Sequence, residues 1–404
     1  MPLMIRIRPS SRILARAPSR CLGIRSLRGG LAVLVLAAVV GGCSPQRALE
    51  ATFVLSDIGA GADPSHLKRS TPEPRREPIA YSVVNCQRTG DLYEPGERAA
   101  ASIVVVPGVT RDGKDDPRLV AFATTLARAR FRILVPEISS LRALKVSPAD
   151  VQDVADAVRH FAGGEHIANI GIVAFSYAVG PAILAALEPD VHDRIRFIVA
   201  VGGYYDLEAA VTYFTTGFYR TDPASPWRYQ APNEYGKWVF ARGNADRLAS
   251  VADRERLLRI TERKMADTGA NVEDLAAALG PEGRAVYDLL VNHAPESVPG
   301  LIAALPKAIQ SDMCALDLRR RDLSPLAGRL ILLHGRDDAI IPFGESVRLA
   351  EIVRGSDLYL VDSLAHVDLG PPSFFDALKL VRAVYRLLEE RDAAGRELSS
   401  GPSN

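Results

Sequence analysis

The sequence predicts an α/β fold: a mostly parallel central sheet with helices on both faces and a helical cap insertion. Three observations predict it. Apolar runs at Ser102–Val106, Phe131–Val135 and Ile195–Val201 alternate with amphipathic stretches at crossover length, as strands buried on both faces do. The run from Ile170 to Gly180 reads as a buried strand that breaks at Ser176 and continues as a helix. The alternation stops at Gly202-Gly203-Tyr204-Tyr205-Asp206 and resumes at Leu330, which makes residues 207–325 an insertion.

With 404 residues and 48% hydrophobic side chains, the chain can bury a large core without disulfides or metal. Its charge is unevenly placed. Seven of the 49 basic residues fall in positions 1–43, which hold no acid, so the remainder carries 42 basic against 48 acidic residues. A body of that balance argues against nucleic acid as a partner.

Positions 1–43 read as a targeting segment. Arg6 to Arg28 form a basic region, Leu31 to Val40 a short apolar core, and Val40-Gly41-Gly42-Cys43 places small residues before a cysteine. The apolar run is too short for a comfortable permanent span. Its ending resembles the lipobox of bacterial lipoproteins, which implies lipidation at Cys43 and attachment to the cell envelope on the periplasmic side. An ordinary secretory signal cut near Gly42 is the alternative. Cys86 and Cys314 remain beyond this segment, and an exported compartment permits a disulfide between them or two separate thiols.

Ser44 to Pro78 is polar and broken by Pro64, Pro72, Pro74 and Pro78, and it reads as a tether (44–78). Ala48 to Asp57 has too few apolar positions to require a helix. Regular structure is expected from Ile79, with strands at Ile79–Val84 and Thr89–Tyr93. The Ser102–Val106 run ends in Pro107-Gly108-Val109-Thr110, a glycine turn that suits exposed backbone N–H groups. Leu119, Phe122, Ala123 and Leu126 then follow helical spacing. Ser147-Pro148-Ala149-Asp150 opens a helix whose buried face is Val151, Val154, Ala155 and Val158.

The insertion holds both tryptophans, Trp227 and Trp238, and many other aromatics, and its second half is helical and charged. Most of those aromatics are expected to form its own core, with a minority lining a pocket. After it come a strand at Leu330–Leu333, a helix at Phe343–Val353, a strand at Leu358–Val361 and a last helix from Ser373 to about Glu390. Residues 391–404 are polar and read as a flexible tail.

A serine hydroxyl is a weak nucleophile until a base takes its proton and a third group orients that base. Small residues at Ala174 and Ala178 leave room for a sharp elbow at Ser176, the steric logic of G-x-S-x-G with both glycines replaced. A helix N-cap is the bland reading of the same serine. Of seven histidines, His66 lies in the tether, His160, His166 and His192 sit near helix ends, His293 belongs to the insertion, and His334 braces a turn. Only His366 follows the last strand. Asp338 lies in the loop before that strand, with Asp337 beside it, and Asp206 ends an earlier strand. The order is serine, acid, histidine.

These residues resemble those of the α/β-hydrolase fold from about Ile79 to Glu390. The segment His334-Gly335-x-x-Asp338-x-x-Ile341-Pro342 is similar to that superfamily's acid loop and favours Asp338 over Asp337. The resemblance implies backbone oxyanion donors at Tyr177 and Val109, although Pro107-Gly108 stands where many members carry His-Gly. No metal signature or dinucleotide fingerprint accompanies the set, so no cofactor is expected. The reading is a serine hydrolase acting on a small acyl ester. Acyl transfer or amide cleavage by the same residues, and an inactive envelope binding protein on the same fold, are the alternatives.

Overall fold

The computed structural model describes residues 44–83, 86–163, 169–366, 368–370 and 372–399. The targeting segment with Cys43, and His166, lie outside the described residues.

The chain begins with a helix, α1 (Pro45–Ala60), capped by the Ser44 hydroxyl. Eight strands then make one sheet: β1 (Arg75–Val83), β2 (Cys86–Glu94), β3 (Ala101–Val106), β4 (Phe131–Pro136), β5 (Ile170–Phe175), β6 (Ile195–Val201), β7 (Leu330–Gly335) and β8 (Asp357–Val361). Their order is β1-β2-β4-β3-β5-β6-β7-β8. β2 runs antiparallel to both β1 and β4, and every other pairing is parallel. The crossover helices are α2 (Pro117–Arg128), α3 (Ala149–Gly163) and α4 (Val179–Ala186).

Alternate residues of β3 face opposite layers, as strand geometry requires. Val104 and Val106 pack with Val154, Val158 and Ile183 of α3 and α4, while Ile103 and Val105 pack with Leu119, Ala123 and Leu126 of α2. Both faces of the strand are therefore dry, which is why it reads as an unbroken apolar run.

The insertion folds into helices α5 (Leu207–Thr216), α6 (Glu234–Asn244), α7 (Val251–Ala266), α8 (Pro281–Val291) and α9 (Lys307–Leu316), with shorter turns between them. It has its own core, in which Phe214 and Trp238 pack with Leu257, Ile260, Val286 and Leu289. Other aromatics go elsewhere: Tyr219 packs edge-on to Phe343, and Tyr229 and Tyr235 are exposed. After β7 come α10 (Gly344–Ile352) and, beyond β8, α11 (Phe374–Ser399).

Three expectations are corrected. Residues 44–78 are not a tether: α1 packs along α11, burying Ala48, Ala51 and Val54, and a second short helix spans His66–Ser70. Its apolar stripe is built mainly of alanines, too small to stand out in a polar stretch. Regular strand begins at Arg75, where Arg76 pairs with Asp91 of β2. Residues 391–399 are helical rather than flexible, because Arg391 is buried, binds Glu50 of α1 at 2.9 Å and donates to the Ala129 carbonyl at 3.0 Å. Cys86 and Cys314 are both free and exposed. Among the described residues no helix is long and apolar enough to cross a membrane.

Candidate active site

Ser176 follows β5 without an intervening residue and adopts φ +57°, in the left-handed region. That conformation costs an L-residue about 1–2 kcal/mol, and the surroundings must enforce it. Here β5 is locked between β3 and β6, and a single helical turn, Ser176–Ala178, leads directly into α4. Ala174 and Ala178 are fully buried on either side of the turn. Larger side chains at those positions would meet packed core. Gly180, the second residue of α4, allows Tyr204 to lie against the helix, where its hydroxyl donates to the Leu316 carbonyl at 3.0 Å.

His366 also has a left-handed backbone, φ +57°. It directly follows the short strand Leu364–Ala365, which pairs antiparallel with Asp368–Leu369, so the chain reverses direction just beyond Ala365. The turn brings the imidazole to the serine: His366 Nε2 lies 2.8 Å from Ser176 Oγ, and Nδ1 lies 2.8 Å from Asp338 Oδ2. Asp338 is fully buried in the loop after β7. Its Oδ1 accepts from the backbone N–H groups of Ile340 and Ile341 at 2.8 and 3.0 Å, which fixes the carboxylate plane. Burial alone would raise this carboxyl, but the charge of His366 and hydrogen bonds from His334 and His366 outweigh it and hold Asp338 well below the ordinary aspartate range.

His334 is buried behind the acid, 3.2 Å from Asp338 Oδ2, with Nε2 also 3.0 Å from the Ile341 carbonyl and Nδ1 2.7 Å from Ser346 Oγ. It therefore braces the turn as expected and faces the carboxylate as well. Asp337 is exposed, and the carboxylate that reaches His366 is that of Asp338. Asp206 caps α5 through Ala209 N–H and pairs with Arg319 and Arg348 at 3.1 and 3.0 Å.

Several supporting residues had no sequence signal. The Tyr213 hydroxyl and the Gln230 amide, both from the cap, donate to the Asp338 carbonyl at 2.8 and 3.1 Å, and Asn233 N–H donates to the Ala339 carbonyl at 2.7 Å. Gly202, at φ +63°, runs flush against the acid and base: a Cβ there would sit 3.3 Å from Asp338 Oδ2 and 3.5 Å from His366 Nδ1. Gly202→Ala is expected to lose about 1–2 kcal/mol of stability from the backbone alone, read as a lowered thermal midpoint, and to disturb the adjacent pair. An unchanged midpoint would mean that the left-handed conformation is not enforced.

Glu345 of α10 is fully buried and accepts from Tyr205 and Asp206 N–H at 3.0 and 2.6 Å. Burial, then the negative charge of Asp206, push its carboxyl up to about 7, against partial relief from those two N–H groups. A carboxyl raised on folding binds more protons in the native than in the unfolded state, so its contribution is lost as pH rises from the ordinary glutamate value to about 7. Glu345→Gln should flatten that decline, which for a shift of this size is on the order of 3 kcal/mol. Thermal midpoints across the window check it; an unchanged slope would place the decline elsewhere.

The loops after β3 and β5 leave the same sheet edge, because Val106 pairs with Ala174. Gly108 passes Phe175 at ordinary contact, 3.8 Å for a Cβ placed there. Val109 and Tyr177, the two backbone positions expected to donate to an oxyanion, therefore follow neighbouring strands at the edge from which Ser176 emerges.

No protein-family profile matches the sequence, and no curated protein is found similar to it. Solved structures do match. A proposed hydrolase from Legionella pneumophila aligns over 84% of this chain and 95% of its own, with 12% identity and a TM-score of 0.50. An alpha/beta hydrolase from Penicillium sp. sh18 aligns over 80% and 99%, with 13% identity and a TM-score of 0.48. An acylaminoacyl peptidase from Pyrococcus horikoshii aligns over 84% of this chain but 44% of its own, with 12% identity and a TM-score of 0.41, so the chain spans less than half the length of that relative. With its mostly parallel sheet, the chain has the α/β-hydrolase fold.

Proposed function

We propose that this α/β-hydrolase-fold chain is a cofactor-independent serine hydrolase that cleaves a carboxylic ester through an acyl-enzyme. The observation that carries the reading is the continuous relay of two 2.8 Å contacts from Ser176 through His366 to Asp338. A structural serine needs no oriented imidazole, and a buried aspartate needs none to be satisfied when two backbone N–H groups already bind it.

In the reaction, Ser176 Oγ attacks the ester carbonyl while its proton passes to His366 Nε2. Asp338 accepts the Nδ1–H, which fixes the tautomer and stabilises the imidazolium. The backbone N–H groups of Val109 and Tyr177 take the negative charge that develops on the carbonyl oxygen. Collapse expels the alkoxide, which leaves with the proton from His366. Water, deprotonated by His366, then attacks the acyl carbon, releases the acid and returns the proton to Ser176. The left-handed serine supports this role, because strain held by surrounding packing keeps Oγ clear of the helix behind it.

The targeting segment adds a location: export and lipid attachment at Cys43 to the periplasmic side of the cell envelope. Cys43 immediately precedes the Ser44 cap of α1, so such an anchor would hold the enzyme close against the membrane with no leash.

The test is covalent labelling of protein lacking residues 1–43 with a neutral fluorophosphonate, followed by peptide mass spectrometry. Rapid modification confined to Ser176, and lost in His366→Ala, is the expected result. Folded protein that stays unlabelled, both as it is and with the cap loosened by substitutions that spare Tyr213, Gln230 and Asn233, would turn the reading to a binding protein.

A further inference from the structure

A cleft of about 390 Å³ opens between the cap and the sheet edge. One wall is the loop after β3 and the segment from Arg142 to Lys145 beyond β4; the other is α6, the turn after it, and α7 of the cap. Its charged lining is Arg111, Arg142, Lys145, Arg242 and Arg254 against the single acid Asp246. That bias is local, since the whole body beyond residue 43 has more acids than bases.

Not all of these cations are neutralised. Lys145 pairs with Asp246, and Arg142 and Arg242 make long contacts to Glu137 and Glu262, at 3.5 and 3.7 Å. Arg111 is exposed and has no ion-pair partner among the described residues. Arg254 is half-buried, donates through Nη2 to the Leu248 carbonyl at 2.9 Å, and leaves its Nε buried without a hydrogen-bond partner. Arg111 and Arg254, neither held by a carboxylate among the described residues, leave positive charge on the walls of a basic cleft, which suits an oxyanion arriving from outside.

The cleft adjoins the proposed chemistry, although neither Ser176 nor His366 lines it. Arg111 follows Val109 by two residues, at most about 7 Å of chain. β3 is the direct neighbour of β5, at a strand spacing of about 5 Å. The cleft and Ser176 therefore open at the same end of two adjacent strands, with the loop after β3 common to both.

We infer that the substrate is an anionic ester, carrying a carboxylate or phosphate that seats among Arg111, Arg142 and Arg254 while its carbonyl lies at Ser176. Planar guanidinium forks suit either oxyanion, and walls of one sign concentrate such ligands. The inference rests on the hydrolase reading for the reaction and on the cleft alone for the charge.

The experiment compares esters matched in size, one neutral and one anionic, with the charge on the acyl chain in one pair and on the leaving group in a second. In one of the pairs the anionic ester is expected to show about tenfold higher kcat/KM, chiefly through KM, and inorganic phosphate should compete with it. The double variant Arg111→Gln/Arg142→Gln should reduce that ratio about tenfold while keeping a native thermal midpoint. Equal or better use of the neutral esters in both pairs overturns the inference. So does phosphate that changes kcat on a neutral ester without competing, which would mark the cleft as a site for a free anion. Calorimetry with inorganic phosphate gives a readout without turnover: binding that Arg254→Gln weakens supports the cleft, and no binding at millimolar phosphate overturns it. Neutral fluorophosphonate labelling of Ser176 without anion preference defeats this inference and leaves the hydrolase reading standing; phosphate binding without labelling does the reverse.

Discussion

Ser176→Ala is expected to reduce ester cleavage by on the order of 10⁵- to 10⁶-fold, because removing the nucleophile of such a relay leaves only binding and oxyanion stabilisation. The thermal midpoint should hardly move. The hydroxyl makes one contact, to an imidazole that is partly open to solvent, and losing it costs within about 1 kcal/mol. The strain at φ +57° persists with alanine. Ser176→Gly is therefore the informative companion: it abolishes the activity equally but raises stability by about 1 kcal/mol, since glycine takes that backbone conformation freely. Activity that survives Ser176→Ala would place the nucleophile elsewhere, and a large loss of stability would make Ser176 a structural residue.

Asp338→Asn should cost about 10⁴-fold in kcat. The amide keeps an oxygen for the Ile340 and Ile341 N–H groups but can turn a donor toward His366 Nδ1, which favours the tautomer with the proton on Nε2, the wrong nitrogen for a base. Stability should fall as well, with a defined pH dependence. Burial opposes the charge, yet His366 and His334 hold the carboxyl below its ordinary value. A carboxyl depressed on folding contributes stability that is fully present above the ordinary aspartate pKa and is lost as pH falls through the depressed value. The variant's midpoint should therefore lie furthest below the parent's at neutral pH, with the gap narrowing in strong acid. Asp337→Asn, at an exposed position, should leave both activity and midpoint near the parent's. If it instead carried the loss, the acid would have been misassigned.

The middle of the sheet was legible because its strands are buried on both faces and so almost wholly apolar, as Ile170–Phe175 and Ala101–Val106 are. The site positions could be proposed because Ser176, Asp338 and His366 each follow a strand at one sheet edge, an arrangement that survives without the two elbow glycines. What was not legible depends on distance or on small side chains. The α1 helix hides its buried face in alanines, and its partner Arg391 lies more than three hundred residues away, in a stretch whose polarity resembles a tail. Tyr213 and Gln230 reach Asp338 across 125 and 108 residues, respectively, and no local pattern marks an aromatic or an amide for such a contact. The chain reversal just beyond Ala365, which places His366, is defined only by strand pairing.

The three hydrogen bonds from the cap to the acid loop have a mechanical consequence. Tyr213, Gln230 and Asn233 grip the Asp338 and Ala339 carbonyls, while the other side of the same short loop orients the imidazole. The cap therefore cannot swing away as an independent door. Lifting it at this point breaks bonds to the loop that aligns the base, so admission of a ligand and readiness of the relay are two readings of one equilibrium. By linkage, whatever holds the cap down also sharpens the base, and a molecule that wedges it open blunts the serine without touching it.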